Sequence, residues 1–240
     1  MNKTAQMVGV WCGLGFVFFF FFACWPMSHF LPPPSPLLTG EELLAKYSDN
    51  IFMIRASMPV GMIAGVLVIP FSTTMAIQLA RLEGRIPFWA ITCIGAGAAN
   101  AVAFYLPFFI FAAGYYRLDR SPELVQLLSD LAWIEFVTVW PPVVMQMVCV
   151  AIVGLTCKGP LQIIPRWFAF LSLWMACGIL PAGLVQFFKI GPFAWNGIIG
   201  FWIPAVCFGA YFVVLTWMMR RAVLNHAEEH AANEAHVKAA

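Results

Sequence analysis

The sequence predicts an all-α membrane protein in which six helices form a transmembrane bundle. Hydrophobic residues make up 62% of the 240 residues and charged residues only 10%, whereas a soluble domain carries roughly 25% charged residues. A bilayer core about 30 Å thick takes about 20 apolar residues per helix. Six stretches are long enough to cross it: residues 7–25, 51–80, 87–116, 131–157, 167–188 and 193–219. They do not alternate as barrel strands would, and backbone groups in lipid must bond within their own segment, so each should be a helix.

The distribution of Lys and Arg predicts that both termini lie in the cytoplasm, because cytoplasmic loops carry the excess of positive charge. The flanks on that side hold Lys3, Arg81, Arg85, Lys158, Arg166, Arg220, Arg221 and Lys238. The opposite flanks hold Lys46, Arg55, Arg117, Arg120 and Lys189. The first span follows Lys3 without a recognisable cleavage site and is interpreted as a retained signal anchor. We predict one transmembrane domain, residues 1–222, and a cytoplasmic tail, residues 223–240.

Helix starts are also predicted in the loops between spans. Thr39 precedes Gly-Glu-Glu and is suited to cap a short helix that ends near Tyr47. Ser121, Pro122 and Glu123 are typical of an N-cap, a first helical residue and a first turn. The second of these helices should run directly into the fourth span.

Polar residues recur at helical spacing and predict polar faces turned away from lipid. In the fourth span, spacings of 3, 4, 4 and 3 connect Glu135, Thr138, Pro142, Gln146 and Cys149, which places them on one face of the helix. Two amides lie near the middle of their spans, Asn100 in the third and Gln146 in the fourth. The small residues of two G-x-x-x-G pairs, Gly9 with Gly13 and Gly61 with Gly65, predict close helix packing.

A second set of polar residues lies in the outer third of the spans: Arg55, Glu135, Gln186, Lys189 and Asn196. Ionisable groups in a bilayer are costly unless they are paired. We therefore expect Glu135 to form an ion pair with Arg55 or with Lys189.

Pro141 and Pro142 lie within the fourth span and predict a bend, which is either a working hinge or a fixed bend that packs the helix bundle. Proline has no N–H group, so the carbonyls of Val137 and Thr138 lose their helical donors, and Pro142 disfavours helical geometry at Pro141. A kink or an unwound turn is expected here. Prolines in four other spans predict that those helices are also kinked.

Motifs for catalysis and cofactor binding are missing from the sequence. No His lies within a span, and no G-x-S-x-G, Walker A or dinucleotide fingerprint is present. The HAEEH stretch at 226–230 matches an inverted zincin pattern but follows the last span into solvent. We therefore expect no enzymatic activity, no cofactor and no metal site. A net charge of only +2 gives no indication of nucleic-acid binding.

Four stretches together carry a resemblance to known sequences: ARLEGRIPFW, YRLDRSPELVQLLSDLAWIEF, PRWFAFLSLW and FKIGPFAWNGIIGFWIP. They resemble a family of multi-spanning bacterial membrane proteins that has no established activity. The similarity would cover about residues 30–222. It implies a location in the bacterial inner membrane and adds no site residues.

The leading hypothesis is a bundle around a polar, outward-facing cavity that binds or passes a small amphipathic molecule. The predicted binding residues are Arg55, Asn100, Glu135, Trp140, Gln146, Gln186, Lys189 and Asn196. Trp195 and Trp202 are expected to line the apolar part of the cavity with Trp140. The alternative is a non-transporting subunit or scaffold of a membrane complex, which includes a partner of a lipid or hydrocarbon oxidation system. Expected partners are membrane lipid, the amphipathic ligand and a membrane protein or a second copy of the chain.

Overall fold

The structure is a computed structural model that describes residues 3–117, 119–157 and 163–239, with side chains as far as residue 225 in the last range. These residues are helical without any strand in the described ranges. Six segments are long and apolar enough to cross a membrane: Lys3–Met27, Ile51–Glu83, Phe88–Tyr115, Pro122–Thr156, Arg166–Phe187 and Ile198–Asn225. The predicted all-α fold with six candidate spans is confirmed. Lys158, Lys238 and the His side chains of HAEEH lie outside what the structure describes.

The described ranges contain eight α-helices: α1 (Lys3–Phe22), α2 (Gly40–Ser48), α3 (Ile51–Glu83), α4 (Phe88–Tyr115), α5 (Pro122–Thr138), α6 (Trp140–Thr156), α7 (Arg166–Ile179) and α8 (Ile203–Ala239). Helix α2 belongs to the loop after the first span. Its first residue, Gly40, packs against the backbone of Pro122 so closely that a Cβ would collide with it. Trp195 donates a hydrogen bond to the carbonyl of Pro34 at 2.9 Å. These contacts gather three loops at one end of the bundle, named here the α2 end.

Both helix starts predicted in the loops are confirmed. Thr39 accepts a hydrogen bond from the backbone N–H of Glu42, whose carboxylate accepts one from the N–H of Thr39, which completes a capping box. Helix α5 begins at Pro122, although the Ser121 side chain makes no capping hydrogen bond. The last span begins at Ile198, later than the predicted 193, because Gly191–Gly197 form a run of turns held by backbone bonds such as Gly197 N–H to the Ala194 carbonyl.

Several spans lose regular α-helical geometry towards the α2 end. Ala23–Met27 and Ile198–Trp202 are π-helical, and Leu180–Phe187 forms a 3₁₀-helix. The fourth span is divided at Val139, the residue between α5 and α6. Each irregular segment contains a proline or lies within three residues of one, and proline removes a backbone donor and crowds the preceding turn. The opposite end of the bundle contains regular α-helix.

Small residues allow the helices to approach closely, as the glycine pairs predict. A Cβ at Gly65 would lie 2.9 Å from the backbone N of Tyr105, and one at Gly61 would collide with the ring of Phe108. Phenylalanine rings fill the interior between α1, α4 and α8. The Phe16 and Phe104 ring centroids are 4.9 Å apart, and those of Phe104 and Phe208 are 5.2 Å apart. The bundle therefore closes by dispersion contacts between small residues and aromatic rings.

Candidate functional site

The two mid-span amides predicted from the sequence lie together in the interior. Asn100 of α4 donates a hydrogen bond from Nδ2 to Oε1 of Gln146 of α6 at 2.7 Å. Gln146 donates from Nε2 to Ser72 Oγ of α3 at 2.9 Å and to the Cys93 carbonyl of α4 at 3.1 Å. We call Ser72, Cys93, Asn100 and Gln146 the amide network. It connects three helices by uncharged hydrogen bonds.

The amide network is tightly packed and carries one unused acceptor. Asn100 and Ser72 are 0% and 2% exposed. A Cβ on Gly97 would collide with Ser72 and would lie 2.9 Å from Gln146 Nε2, so the glycine makes room for the amide. Among the described residues, none donates a hydrogen bond to Oδ1 of Asn100. The arrangement is suited to holding helices in register, since interhelical hydrogen bonds stabilise packing in lipid.

The expected ion pair of Glu135 with Arg55 or Lys189 is wrong. Arg55 donates hydrogen bonds to the carbonyls of Tyr115 and Tyr116 at 3.0 and 3.1 Å. Those carbonyls end α4 and have no helical donor of their own, so a guanidinium is a suitable cap. Glu135 keeps a buried Oε2 to which no described residue donates a hydrogen bond. Lys189 is exposed and lies near enough to Asp130 for electrostatic attraction.

The remaining predicted polar residues lie near the surface at the α2 end. Gln186 is exposed and donates a long hydrogen bond of 3.3 Å to the Gly183 carbonyl within the 3₁₀-helix. Asn196 is half-buried in the turns before the last span. Ligand binding by either residue stays a prediction.

A pocket opens in the half of the bundle nearest the α2 end, and its walls are apolar. It is lined by Phe20, Phe21, Leu31, Phe104, Phe136, Val137, Val139, Trp140, Val143, Ile179, Ala182, Phe201, Pro204, Ala205 and Phe208. Of the eight predicted binding residues, Trp140 is the one that appears in this lining within the described part of the chain. Trp195 is buried against Pro34, and Trp202 is 41% exposed.

The pocket lies where three irregular segments meet. Val139 and Trp140 come from the break in the fourth span, Ala182 from the 3₁₀-helix and Phe201 from the π-helical turn. Irregular backbone at membrane depth is tolerated where protein buries it or where it lines a cavity, and π-turns inside helices often mark functional sites. The candidate site is therefore formed where these three segments depart from regular α-helical geometry.

The pocket is narrow. Its volume is about 70 Å³, whereas sites for small molecules usually enclose about 300–1,000 Å³. Its apolar lining gives water almost no hydrogen-bond partners. As described, it has room for the end of a hydrocarbon chain, and a larger guest requires the walls to move.

An aromatic cluster closes the α2 end beside the pocket: Phe30, Tyr47, Phe111, Tyr115 and Trp133. The Phe30 and Phe111 ring centroids are 4.4 Å apart, and the Phe30 and Tyr47 rings meet edge to face at 5.5 Å. Tyr47, on α2, is 2% exposed, and this burial raises the pKa of its hydroxyl. Helix α2 thus covers the bundle with an aromatic residue that stays neutral.

Comparison with known proteins does not assign the chain to a family. No family model, curated protein or solved structure matches the chain. The resemblance to bacterial inner-membrane proteins therefore stays a prediction.

Sequence reasoning missed most of the pocket, since its lining residues are apolar like the lipid-facing ones. A usable signal was present in the prolines. Pro142, Pro181 and Pro204 each lie in the pocket lining or next to a residue of that lining, and irregular backbone of this kind is tolerated in a membrane where it lines a cavity.

Proposed function

We infer that the protein is an integral, multi-pass membrane protein, since its six apolar helices are compatible with one. We propose that the protein binds or passes a small amphipathic molecule whose apolar part enters the pocket between α1, α5, α6, the 3₁₀-helix and α8. The single observation that carries this proposal is the apolar pocket at the meeting point of three irregular segments. Charged residues are missing from its described lining, so a hydrocarbon segment is the chemistry it accommodates.

The molecule is proposed to enter with its apolar end first. The lining extends to Leu31, which belongs to the loop between the first span and α2. A polar head would then stay at the α2 end, where Glu135 has an unused oxygen. Orientation of that head by Arg55, Glu135 or Lys189 is part of the proposal.

Widening of the pocket is proposed to occur at the Val139 break. Pro141 and Pro142 lie in the first turn of α6 and donate no backbone hydrogen bonds to α5. The Thr138 hydroxyl bonds to the Ile134 carbonyl at 2.7 Å and so holds the end of α5 rather than the joint. The joint between the two helices thus lacks the two backbone donors that non-proline residues would supply, which suits a hinge.

The proposed location is the bacterial inner membrane with both termini in the cytoplasm, which places the α2 end outside. The support comes from the Lys and Arg distribution and from the resemblance described above. Fusions of alkaline phosphatase and of green fluorescent protein to the C-terminus test the topology. Fluorescence without phosphatase activity is expected, and active phosphatase would reverse the orientation.

Photolabelling tests the binding proposal. The purified protein in phosphatidylcholine nanodiscs is illuminated with palmitic acid that carries a diazirine at its chain end, and adducts are mapped by tandem mass spectrometry. We expect adducts in the segments 136–143 and 201–208 that unlabelled palmitic acid abolishes.

Lipid-facing residues supply the internal control. Phe52 and Trp174 are each 77% exposed and should acquire adducts that unlabelled palmitic acid does not abolish. If the pocket segments carry no competed adducts while Phe52 and Trp174 are labelled, the proposal is wrong.

A further inference from the structure

Trp140 lines the pocket beside the 3₁₀-helix, and its indole packs against a glycine of that helix. A Cβ on Gly183 would lie 2.9 Å from Nε1, 3.1 Å from Cε2 and 3.2 Å from Cζ2 of the Trp140 indole. The distance to Nε1 is shorter than real Cβ atoms adopt and the other two are tight, so a side chain at 183 would force the indole to shift. The indole can lie this close to the 3₁₀-helix because residue 183 is glycine.

Gly183 is required here for close approach and not for an unusual backbone conformation. Its φ lies outside the left-handed region, in contrast to Gly84 and Gly191. The adjacent residue, Ala182, lines the pocket and is 1% exposed. The lining at this point therefore consists of the small side chain of Ala182 and the Trp140 indole, which packs against Gly183.

The backbone that carries Trp140 lies at a helix break and has fewer hydrogen-bond donors than a regular helix. Trp140 follows Val139, whose ψ of 0° interrupts the helix, and precedes two prolines that donate no hydrogen bonds. The wall opposite is held by packed rings, with the Phe16, Phe104 and Phe208 centroids within 5.8 Å of one another. A change in pocket width is thus expected at Trp140.

We propose that the contact of Trp140 with Gly183 sets the width of the pocket and makes the site selective for a single unbranched hydrocarbon chain over a fused-ring molecule. This inference rests on the proposed function and adds its ligand class. A pocket of about 70 Å³ bounded by an indole accommodates a chain end. A rigid ring system is wider than a chain and cannot enter unless the indole leaves.

The test compares two diazirine probes in phosphatidylcholine nanodiscs, palmitic acid labelled at its chain end and a sterol labelled in its ring system. Wild type should give competed adducts in segments 136–143 and 201–208 with the fatty acid and not with the sterol. Trp140→Ala should admit the sterol. Gly183→Val should lower fatty-acid labelling about fivefold or more, because the added carbons push the indole into the pocket.

A rescue and a matched control separate this effect from general damage. Gly183→Val combined with Trp140→Phe should restore labelling to within about twofold of wild type, since the smaller ring leaves room for the valine. Gly178→Ala places a comparable strain on the same span, because its Cβ would lie 2.6 Å from Cys207 Sγ and touches no pocket residue. This control should label like wild type. Size-exclusion profiles confirm that each variant is folded.

The outcomes distinguish the inference from the proposed function. Absence of competed fatty-acid adducts in wild type would overturn both. Competed fatty-acid adducts in wild type together with sterol adducts at the same segments would overturn the inference alone. So would a Trp140→Ala protein that still excludes the sterol, or a Gly183→Val protein that labels like wild type. If Gly183→Val does not fold, the Trp140→Ala result decides.

Discussion

The two halves of the bundle are built on opposite principles. The half with the amide network joins regular helices by hydrogen bonds among Ser72, Cys93, Asn100 and Gln146, with no room for a Cβ at Gly97. The half with the pocket has broken or irregular helices, apolar walls and unfilled space. In this bundle the polar side chains hold the packed half, and the apolar residues form the candidate site.

The difference between the two halves follows from the lipid that surrounds the helices. In lipid, a polar side chain gains most by bonding to another helix, so it is used for assembly. An apolar pocket competes with the lipid for its ligand. To bind it, the pocket needs a fitting shape and an opening, and no polar side chains. The comparison predicts that substitutions in the network half change stability, whereas substitutions in the pocket half change binding.

The largest effect is expected from Gly97→Ala. The added Cβ would collide with Ser72 and crowd Gln146, and overpacking of this kind costs about 1–3 kcal/mol. Gly95, on the same helix, has nothing within 4 Å of an added Cβ and is exposed. Gly95→Ala should leave the melting temperature in nanodiscs unchanged or slightly raised. Equal melting temperatures for the two variants would refute tight packing around the amide network.

Gln146→Leu should destabilise the protein by roughly 2 kcal/mol, because it removes three hydrogen bonds and leaves the Asn100 amide without an acceptor. Gln186→Leu is the matched control, since Gln186 is exposed and makes one long hydrogen bond within its own helix. Reversible unfolding in mixed micelles measures both. A Gln146→Leu protein as stable as the control would show that the network contributes nothing.

Ala205→Leu adds volume to the pocket half. Ala205 lines the pocket and is half-buried, so the larger side chain fills existing space and should change stability by less than about 1 kcal/mol. Ala101→Leu adds the same atoms at a packed position, since Ala101 is 2% exposed and lies beside Gly65. It should lower the free energy of unfolding more than Ala205→Leu does. Thermal unfolding compares them, and a greater loss for Ala205→Leu would indicate that the pocket is closed in the membrane.

Arg55→Gln should have the smallest effect on stability. It removes the guanidinium cap on the carbonyls of Tyr115 and Tyr116, which is worth about 0.3–1 kcal/mol at a helix C-terminus. Hydrogen exchange of the last turn of α4 should increase. If fatty-acid labelling of the pocket falls while that exchange stays the same, Arg55 contacts the ligand head and does not act as a cap.

The amide network was largely predictable from the sequence. The middle of a span offers few polar groups. Two amides at a similar position along their spans are therefore each other's most available hydrogen-bond partners. Ser72 was not foreseen because serine is common in membrane helices and often bonds to its own backbone. The N-cap at Thr39 followed from local chemistry alone and is confirmed.

The hydrogen-bond partners of Arg55 and the lining of the pocket could not be predicted from the sequence as the amide network could. The expectation for Arg55 considered only opposite charges, although the free carbonyls at the end of α4 are equally good acceptors. Phe208 lines the pocket and Phe52 faces outward, yet both are phenylalanines in apolar runs. The contact between Trp140 and Gly183 depends on the relative position of two helices, which residue spacing within one helix does not contain.

The most direct test of the two-half account is fatty-acid photolabelling of segments 136–143 and 201–208 in Gln146→Leu and Ala205→Leu, below the melting temperature of both. The account predicts labelling within about twofold of wild type for Gln146→Leu and a loss of about fivefold or more for Ala205→Leu. The reverse result, in which the Gln146→Leu protein loses labelling and the Ala205→Leu protein retains it, would place the site in the polar interior and contradict the account.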